Sequence, residues 1–82
     1  MARVTVLYFA TAAERAGCSD EPLDLPTITS SSAVFTVLST RHPALAELLP
    51  HCRLALDLGF VDGDLTLADG AELAVIPPVS GG

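Results

Sequence analysis

The chain has 82 residues, a formal net charge of −6 and 50% hydrophobic residues. This length accommodates one small hydrophobic core, and the apolar content excludes an intrinsically disordered chain. No apolar run approaches the roughly 20 residues that a membrane span requires. The basic residues are four arginines spread along the chain, with no lysine. Because nucleic acids and anionic membranes are bound through clustered positive charge, both partner classes are disfavoured.

The first residues lead directly into a strand-like alternation, with no charged leader followed by a long apolar segment. A secretory signal would have that pattern, so we expect a cytoplasmic protein. Two cysteines, Cys18 and Cys52, do not make a disulfide scaffold in a chain with an ample core. We therefore expect both to be reduced thiols.

Periodicity, capping residues and turn residues predict nine short elements. In chain order they are a strand at 4–9, a short helix at 10–16, an edge strand at 21–26, the main helix at 33–41, a helical turn at 44–49, a strand at 54–58, strand pieces at 60–61 and 65–67, and a final strand at 72–76. The serine-rich segment 29–32 supplies N-caps for the main helix, and His42-Pro43 ends it.

This order predicts an α+β fold, in which a mixed sheet of four to five strands carries one main helix across one face. The arrangement is the β-grasp, or ubiquitin-like, architecture, with the first and last strands side by side in the centre of the sheet. We expect the β-grasp domain to span 1–76 and an extended tail to span 77–82.

Conventional catalytic and metal-binding patterns are absent from the sequence. Cys18, His42, His51 and Cys52 could form a metal site only if the fold brought them together, because structural zinc normally uses closely spaced ligand pairs. The simpler interpretation is two loop or helix-end histidines and two small buried thiols. We expect no metal site and no self-contained active site.

The chain ends in Pro77-Pro78-Val79-Ser80-Gly81-Gly82. Two prolines fix φ, remove two backbone donors and favour an extended course away from the sheet. At about 3.3 Å per residue the six residues span up to roughly 20 Å. A bare Gly-Gly end can enter a narrow channel in another protein. The alternative, a frayed glycine-rich end, does not explain two prolines directly after a core strand.

The chain resembles the MoaD/ThiS family of ubiquitin-like sulfur carriers, and most of all its molybdopterin synthase branch. The resemblance rests on the first-strand segment 4–10, on Arg41-His42-Pro43 at the helix end, on the turn segment 67–73 and on the ending 77–82. It implies that an ATP-dependent, ubiquitin-activating-like adenylyltransferase activates Gly82. Sulfur then replaces AMP to give a C-terminal thiocarboxylate.

The resemblance further implies that the tail, Pro77, Pro78, Val79, Ser80 and Gly81 included, enters the large catalytic subunit of molybdopterin synthase. There Gly82 would deliver sulfur to a pyranopterin precursor of the molybdenum cofactor. On this interpretation the chain itself binds no cofactor, and ATP is used by the activating partner. The small chain supplies the reacting atom, and its partners supply the catalytic side chains.

Strand alternation predicts the face that meets these partners. If Val4, Val6 and Tyr8 point toward the helix, then Leu7 and Phe9 point outward. The last strand follows the same alternation, with Leu73 and Val75 inward and Ala74 and Ile76 outward. Phe60 resembles a family contact position, so we expect a partner interface at Phe9, Phe60 and Ile76. The alternative is the reversed phase, in which these residues belong to the core.

Three other functions stay open at this point. The chain could carry sulfur for thiamin or another sulfur-containing product, although the two prolines favour the molybdopterin branch. It could be a protein modifier whose Gly82 forms an isopeptide bond with a lysine of its target. It could also be a passive interaction domain with an inert tail.

Overall fold

The computed structural model describes residues 1–78. Its strands are β1 (Ala2–Tyr8), β2 (Asp20–Leu25), β3 (Ile28–Ser30), β4 (Arg53–Leu56), β5 (Gly59–Val61), β6 (Asp64–Thr66) and β7 (Glu72–Ile76). Its helices are α1 (Thr11–Ala16) and α2 (Ser31–Arg41), and two 3₁₀ turns cover Pro43–Leu45 and Leu49–His51. The predicted helical turn at 44–49 is therefore wrong in its bounds. Pro43 begins one short turn and Pro50 lies inside a second, so the segment is divided in two.

Five strands form a mixed sheet in the order β2-β1-β7-β4-β5. The first and last strands, β1 and β7, are parallel neighbours at its centre, and all the other pairs in this sheet are antiparallel. This arrangement confirms the β-grasp fold and the predicted central pair. The predicted edge position of β2 is also confirmed, and it accommodates Pro22, because a proline in an edge strand can face away from the ladder.

A separate two-stranded ribbon joins β3 to β6, with Ile28 opposite Thr66 and Ser30 opposite Asp64. The sequence prediction missed β3 and treated this stretch only as a capping segment. Three residues are too short for an alternation to be recognised, and their pairing partner lies far along the chain. The ribbon is therefore a product of long-range pairing.

Helix α2 is capped and ended as the sequence predicted. The Oγ of Ser30 accepts a hydrogen bond from the backbone N–H of Ala33 at 3.1 Å, which satisfies a free donor of the first turn. The helix ends at Arg41, and the backbone N–H of His42 donates to the carbonyl of Leu38 at 2.8 Å. Pro43 then prevents a further turn.

The hydrophobic core lies between α2 and the inner face of the five-stranded sheet. Val34 and Leu38 of α2 are fully buried there. The sheet contributes residues from both central strands and their neighbours: Val4, Val6, Tyr8, Leu25, Leu54, Leu73 and Val75. Since burial of each such side chain stabilises the fold by about 1.5–3 kcal/mol, this layer holds a helix whose β-branched residues make it weak in isolation.

The prediction for β4 is wrong at its C-terminal end. The strand stops at Leu56, and Leu56 pairs directly with Gly59 of β5. Asp57 and Leu58 are therefore the two residues of a tight hairpin turn rather than a continuation of the strand. The alternation of leucines at 54, 56 and 58 concealed this turn, because the third leucine fits a strand pattern equally well.

No helix in the described part of the chain is long and apolar enough to cross a membrane.

Candidate functional site

The tail begins where the central strand β7 ends. Ile76 is the last residue of this strand, and Pro77 and Pro78 follow it outside any helix or strand. Pro77 is half-buried and Pro78 is exposed. The predicted tail residues Val79, Ser80, Gly81 and Gly82 lie outside the described residues. The structure therefore describes only the base of the tail, which follows a strand that is hydrogen-bonded to a neighbouring strand on each side.

Burial along the two central strands confirms the predicted phase. The residues predicted to face the helix are all buried, with at most 3% exposure: Val4, Val6, Tyr8, Leu73 and Val75. The residues between them, which point to the opposite face, are more accessible: Leu7, Ala74 and Ile76 are half-buried, and Phe9 is 47% exposed. The second face of the sheet thus carries apolar side chains that no helix covers within the described residues.

A shallow groove of about 160 Å³ runs across this outer face. Its lining combines outward residues of four strands, one turn and the residue that follows β1: Leu7, Phe9, Ala55, Leu58, Phe60, Glu72, Ala74 and Ile76. The three predicted interface residues are therefore brought together, with Phe60 59% exposed. Because Ile76 precedes the prolines directly, the groove reaches the point where the tail leaves the sheet. We name this surface the outer groove.

Arg53 places a positive charge at the outer groove. Its guanidinium carbon lies 4.1 Å from the centre of the Phe60 ring, a cation–π contact. Arg53 is also the register partner of Ile76, so the charge stands beside the base of the tail. No local sequence pattern points to Arg53, because its stacking partner Phe60 is placed only by the β4–β5 hairpin.

Leu58 also lines the outer groove, although the sequence pattern predicts a strand residue at this position. It is 98% exposed, and its φ of 75° lies in the left-handed region. Its neighbour Asp57 also has positive φ, at 46°, which is the pattern of a two-residue type I′ hairpin turn. The signal available in the sequence was Asp57 two residues before Gly59, although the leucine between them is unusual for such a turn.

Glu21 is the centre of a polar cluster at the β2 edge of the sheet, on the side of β1 that faces away from β7. Its Oε2 accepts hydrogen bonds from the hydroxyl of Tyr8 at 2.6 Å and from Nε2 of His42 at 2.5 Å. Its Oε1 accepts from Nε of Arg41 at 2.6 Å. The Glu21 side chain is only 12% exposed, so the carboxylate exchanges water for three protein donors. The cluster connects β1, β2 and the C-terminal end of α2.

The pKa values in this cluster follow from burial and these bonds. Burial alone would raise the pKa of Glu21, but hydrogen bonds from Tyr8, Arg41 and His42 outweigh it and lower the pKa to about 2. Burial and the hydrogen bond to Glu21 raise the pKa of Tyr8 far above its usual range. A charged Glu21 and a neutral Tyr8 are therefore the forms that the fold stabilises at neutral pH.

The fold does not bring Cys18, His42, His51 and Cys52 together as one group of potential metal ligands. Cys18 lies beside His42, with Glu21 as the third group, and their potential ligand atoms are within 4.8 Å of one another. The Glu21 carboxylate already accepts three hydrogen bonds, one of them from the permanently charged Arg41, so the cluster is arranged as a hydrogen-bonded network. Both cysteines are free in the structure, and both are half-buried rather than buried as expected.

Neither thiol has the surroundings of an activated nucleophile. Burial and the nearby carboxylates of Glu21 and Asp20 raise the pKa of Cys18. Burial raises the pKa of Cys52. Because the thiolate is the reactive form, a raised pKa disfavours nucleophilic chemistry at these positions. Among the described residues, the outer groove is an exposed apolar surface, and neither thiol is poised for catalysis.

The profile of the ThiS family matches residues 6–82. The chain is 39% identical over 85 residues to a human protein named molybdopterin synthase sulfur carrier subunit, and the alignment covers 100% of this chain and 97% of the relative. A protein of the same name from Chlamydomonas reinhardtii is 34% identical over 82 residues, covering 98% of this chain and 99% of the relative.

Solved structures share the fold. The solution structure of small archaeal modifier protein 1 from Methanosarcina acetivorans superimposes with a TM-score of 0.83 at 25% sequence identity. That comparison covers 100% of this chain and 98% of the other.

Proposed function

Because the chain belongs to the ThiS family, we propose that it is a sulfur carrier in molybdenum cofactor biosynthesis, the small subunit of a molybdopterin synthase. The name shared by the human and algal relatives supports the molybdopterin branch. We further propose that it acts in the cytoplasm.

One observation carries this proposal: the Gly-Gly tail starts at the end of a central strand and beside an exposed apolar groove. Ile76 lines the outer groove, and Pro77 and Pro78 follow it directly. A partner that binds the groove is therefore adjacent to the base of the tail. The strand β7 is bonded to β1 and β4, so it provides a rigid support for a tail that must reach a distant site.

The proposed chemistry takes place at Gly82. A carboxylate oxygen of Gly82 attacks the α-phosphorus of ATP, and pyrophosphate leaves. Hydrosulfide (HS⁻) then attacks the carbonyl carbon of the acyl-adenylate, the bond from that carbon to the AMP oxygen breaks, AMP leaves, and loss of the S–H proton gives the thiocarboxylate. Since a carboxylate is a poor acyl donor, adenylation couples the transfer of sulfur to the cleavage of ATP.

Two partners are part of this proposal. A ubiquitin-activating-like adenylyltransferase would hold the ATP and activate Gly82. The large catalytic subunit of molybdopterin synthase would then bind the outer groove through Phe9, Phe60 and Ile76 and receive the tail. Inside that subunit the thiocarboxylate sulfur is shielded from water while it attacks the pyranopterin precursor.

The first test is intact-mass analysis after incubation with the adenylyltransferase, ATP and a sulfur source. We expect the mass increase that corresponds to replacement of one oxygen by sulfur, located by fragmentation at Gly82. Deletion of Gly82, or addition of one alanine after it, should abolish the increase. The matched control is one extra alanine at the N-terminus, beside the exposed Met1, which should leave it unchanged. An unmodified carboxylate in the wild-type chain under these conditions would refute the carrier function.

A second candidate function is protein modification, which the structural similarity to small archaeal modifier protein 1 favours. In that case Gly82 would form an isopeptide bond with a lysine of another protein. Since this chain has no lysine, such a product cannot join two of its own copies through a lysine side chain. Intact-mass analysis of protein isolated from its own cells distinguishes the two: a carrier yields the thiocarboxylate, and a modifier yields conjugates to other proteins.

A further inference from the structure

The turn between β4 and β5 combines two unfavourable features at Leu58. A φ of 75° places its Cβ against its own backbone, a conformation that glycine and asparagine adopt far more readily. The side chain is also 98% exposed, the highest exposure among the large hydrophobic residues in 1–78. Both features raise the free energy of the isolated chain.

The neighbouring residue shows how such a conformation is normally stabilised. Asp57 also has positive φ, at 46°, but its Oδ1 accepts a hydrogen bond from the backbone N–H of Glu72 at 2.9 Å. Its own backbone N–H donates to the carbonyl of Glu72 at 2.9 Å. These bonds attach the turn to β7. Leu58 gains no comparable contact, since almost all of its surface is open.

The arginine at the start of β4 is also unusual for the chain. Arg3 is 3.1 Å from Asp24, Arg41 is 2.6 Å from Glu21, and Arg15 donates to a backbone carbonyl. Within residues 1–78, Arg53 has no carboxylate within salt-bridge distance and stacks on Phe60 instead. Among the described residues, an arginine that is paired with no carboxylate therefore stands beside the outer groove, in contact with Phe60.

We propose that Leu58 is a docking anchor, which inserts into an apolar socket on the protein that receives the tail, while Arg53, beside the base of the tail, pairs with a carboxylate of the same protein. The occupant is identified by position, since the outer groove extends from Leu58 to Ile76, where the tail begins. A protein bound at this position also meets Arg53, because Arg53 is the register partner of Ile76, the last residue before the tail. This inference rests on the proposed function, because it takes the large synthase subunit as that protein.

The test compares the affinity of full-length variants for the recombinant large subunit from the same organism. Leu58→Asn suits the left-handed turn and removes the apolar contact, so its urea midpoint should equal or exceed that of the wild type. Its affinity should fall at least about tenfold, as expected for loss of an interface anchor. Leu58→Met keeps an apolar side chain of similar size, and its affinity should stay within about threefold of wild type. Ile28→Ala removes another exposed aliphatic side chain, on the separate ribbon, and serves as the matched control for surface truncation.

Arg53→Gln tests the second half of the inference. We expect weaker binding and a smaller loss of affinity with rising salt, because one ion pair at the interface is removed. Binding of Leu58→Asn within about twofold of wild type would overturn the anchor while leaving the carrier function intact. A clearly lower urea midpoint for Leu58→Asn would overturn it too, because the leucine would then stabilise the chain itself. Failure of the wild-type chain to bind the large subunit would instead refute the proposed partner, and the inference with it.

Discussion

The hydroxyl of Tyr8 donates a 2.6 Å hydrogen bond to Oε2 of Glu21 and so joins the central strand β1 to the edge strand β2. The same carboxylate accepts from Arg41 and His42 at the end of α2. The rings of Tyr8 and His42 also meet edge to face, with centroids 5.7 Å apart. One largely buried carboxylate therefore determines how the helix end sits on the edge of the sheet.

Glu21→Gln should destabilise the fold by about 1–3 kcal/mol, because a neutral amide replaces a carboxylate that accepts three hydrogen bonds, and its NH₂ group cannot accept. The measurement is the free energy of unfolding in urea at pH 7. Glu47→Gln is the matched control, since Glu47 is exposed and the same substitution there should change the stability by less than about 0.5 kcal/mol. Equal effects of the two substitutions would contradict the importance of the Glu21 cluster.

The contribution of Glu21 should depend on pH in a defined direction. Its pKa falls from an ordinary 4.5 to about 2 in the folded chain, so the folded state binds this proton less readily than the unfolded state. The stabilisation is therefore fully present above about pH 4.5 and is lost as the pH falls toward 2. We expect the difference in unfolding free energy between wild type and Glu21→Gln to shrink across that window. A difference that stays constant from pH 6 to about pH 2 would disprove the linkage.

Leu38→Ala should cost about 2–5 kcal/mol of stability, because Leu38 is fully buried between α2 and the sheet and its truncation leaves a cavity. Val37→Ala, one residue earlier on the same helix and 38% exposed, provides the comparison. It should cost less than about 1 kcal/mol, since alanine has the higher helix propensity and little buried surface is lost. Urea unfolding of both variants measures the contrast, and a similar loss in both would show that the helix packs differently.

Asp57→Asn should be nearly neutral, whereas Asp57→Ala should cost about 1–2 kcal/mol. Asparagine tolerates positive φ and keeps an oxygen that can accept the hydrogen bond from the Glu72 backbone N–H. Alanine loses that acceptor and is strained at a φ of 46°. Thermal unfolding monitored by circular dichroism separates the two variants, and an Asp57→Ala chain as stable as Asp57→Asn would rule out this role of the side chain.

Phe60→Ala should weaken binding to the large synthase subunit about tenfold or more, because an exposed aromatic ring at the β5 end of the outer groove is removed. Phe9→Ala, at the other end of the groove, should act in the same direction. Titration calorimetry measures both affinities, and unfolding midpoints close to that of wild type would show that the fold is preserved. Unchanged affinity in both variants would place the partner on another surface.

The sequence by itself determined the features that depend on local chemistry. Alternation sorted the side chains of β1 and β7 into two faces, because side chains on a strand must alternate whatever lies around them, and burial in the structure decided which face is inner. Ser30 and Pro43 set the ends of α2 through capping and through the missing backbone donor of proline. The ending 77–82 and the family resemblance indicated a sulfur carrier without any knowledge of the sheet.

Only the tertiary structure decided the features that depend on residues far apart in the chain. The three donors to Glu21 come from two elements, and the ribbon formed by β3 is held by a strand that follows much later. Leu58 fits a strand pattern, and only the pairing of Leu56 with Gly59 turns it out into solvent beside the groove. Long-range pairing and packing override local preference at such positions, so no window of the sequence contains the information that places them.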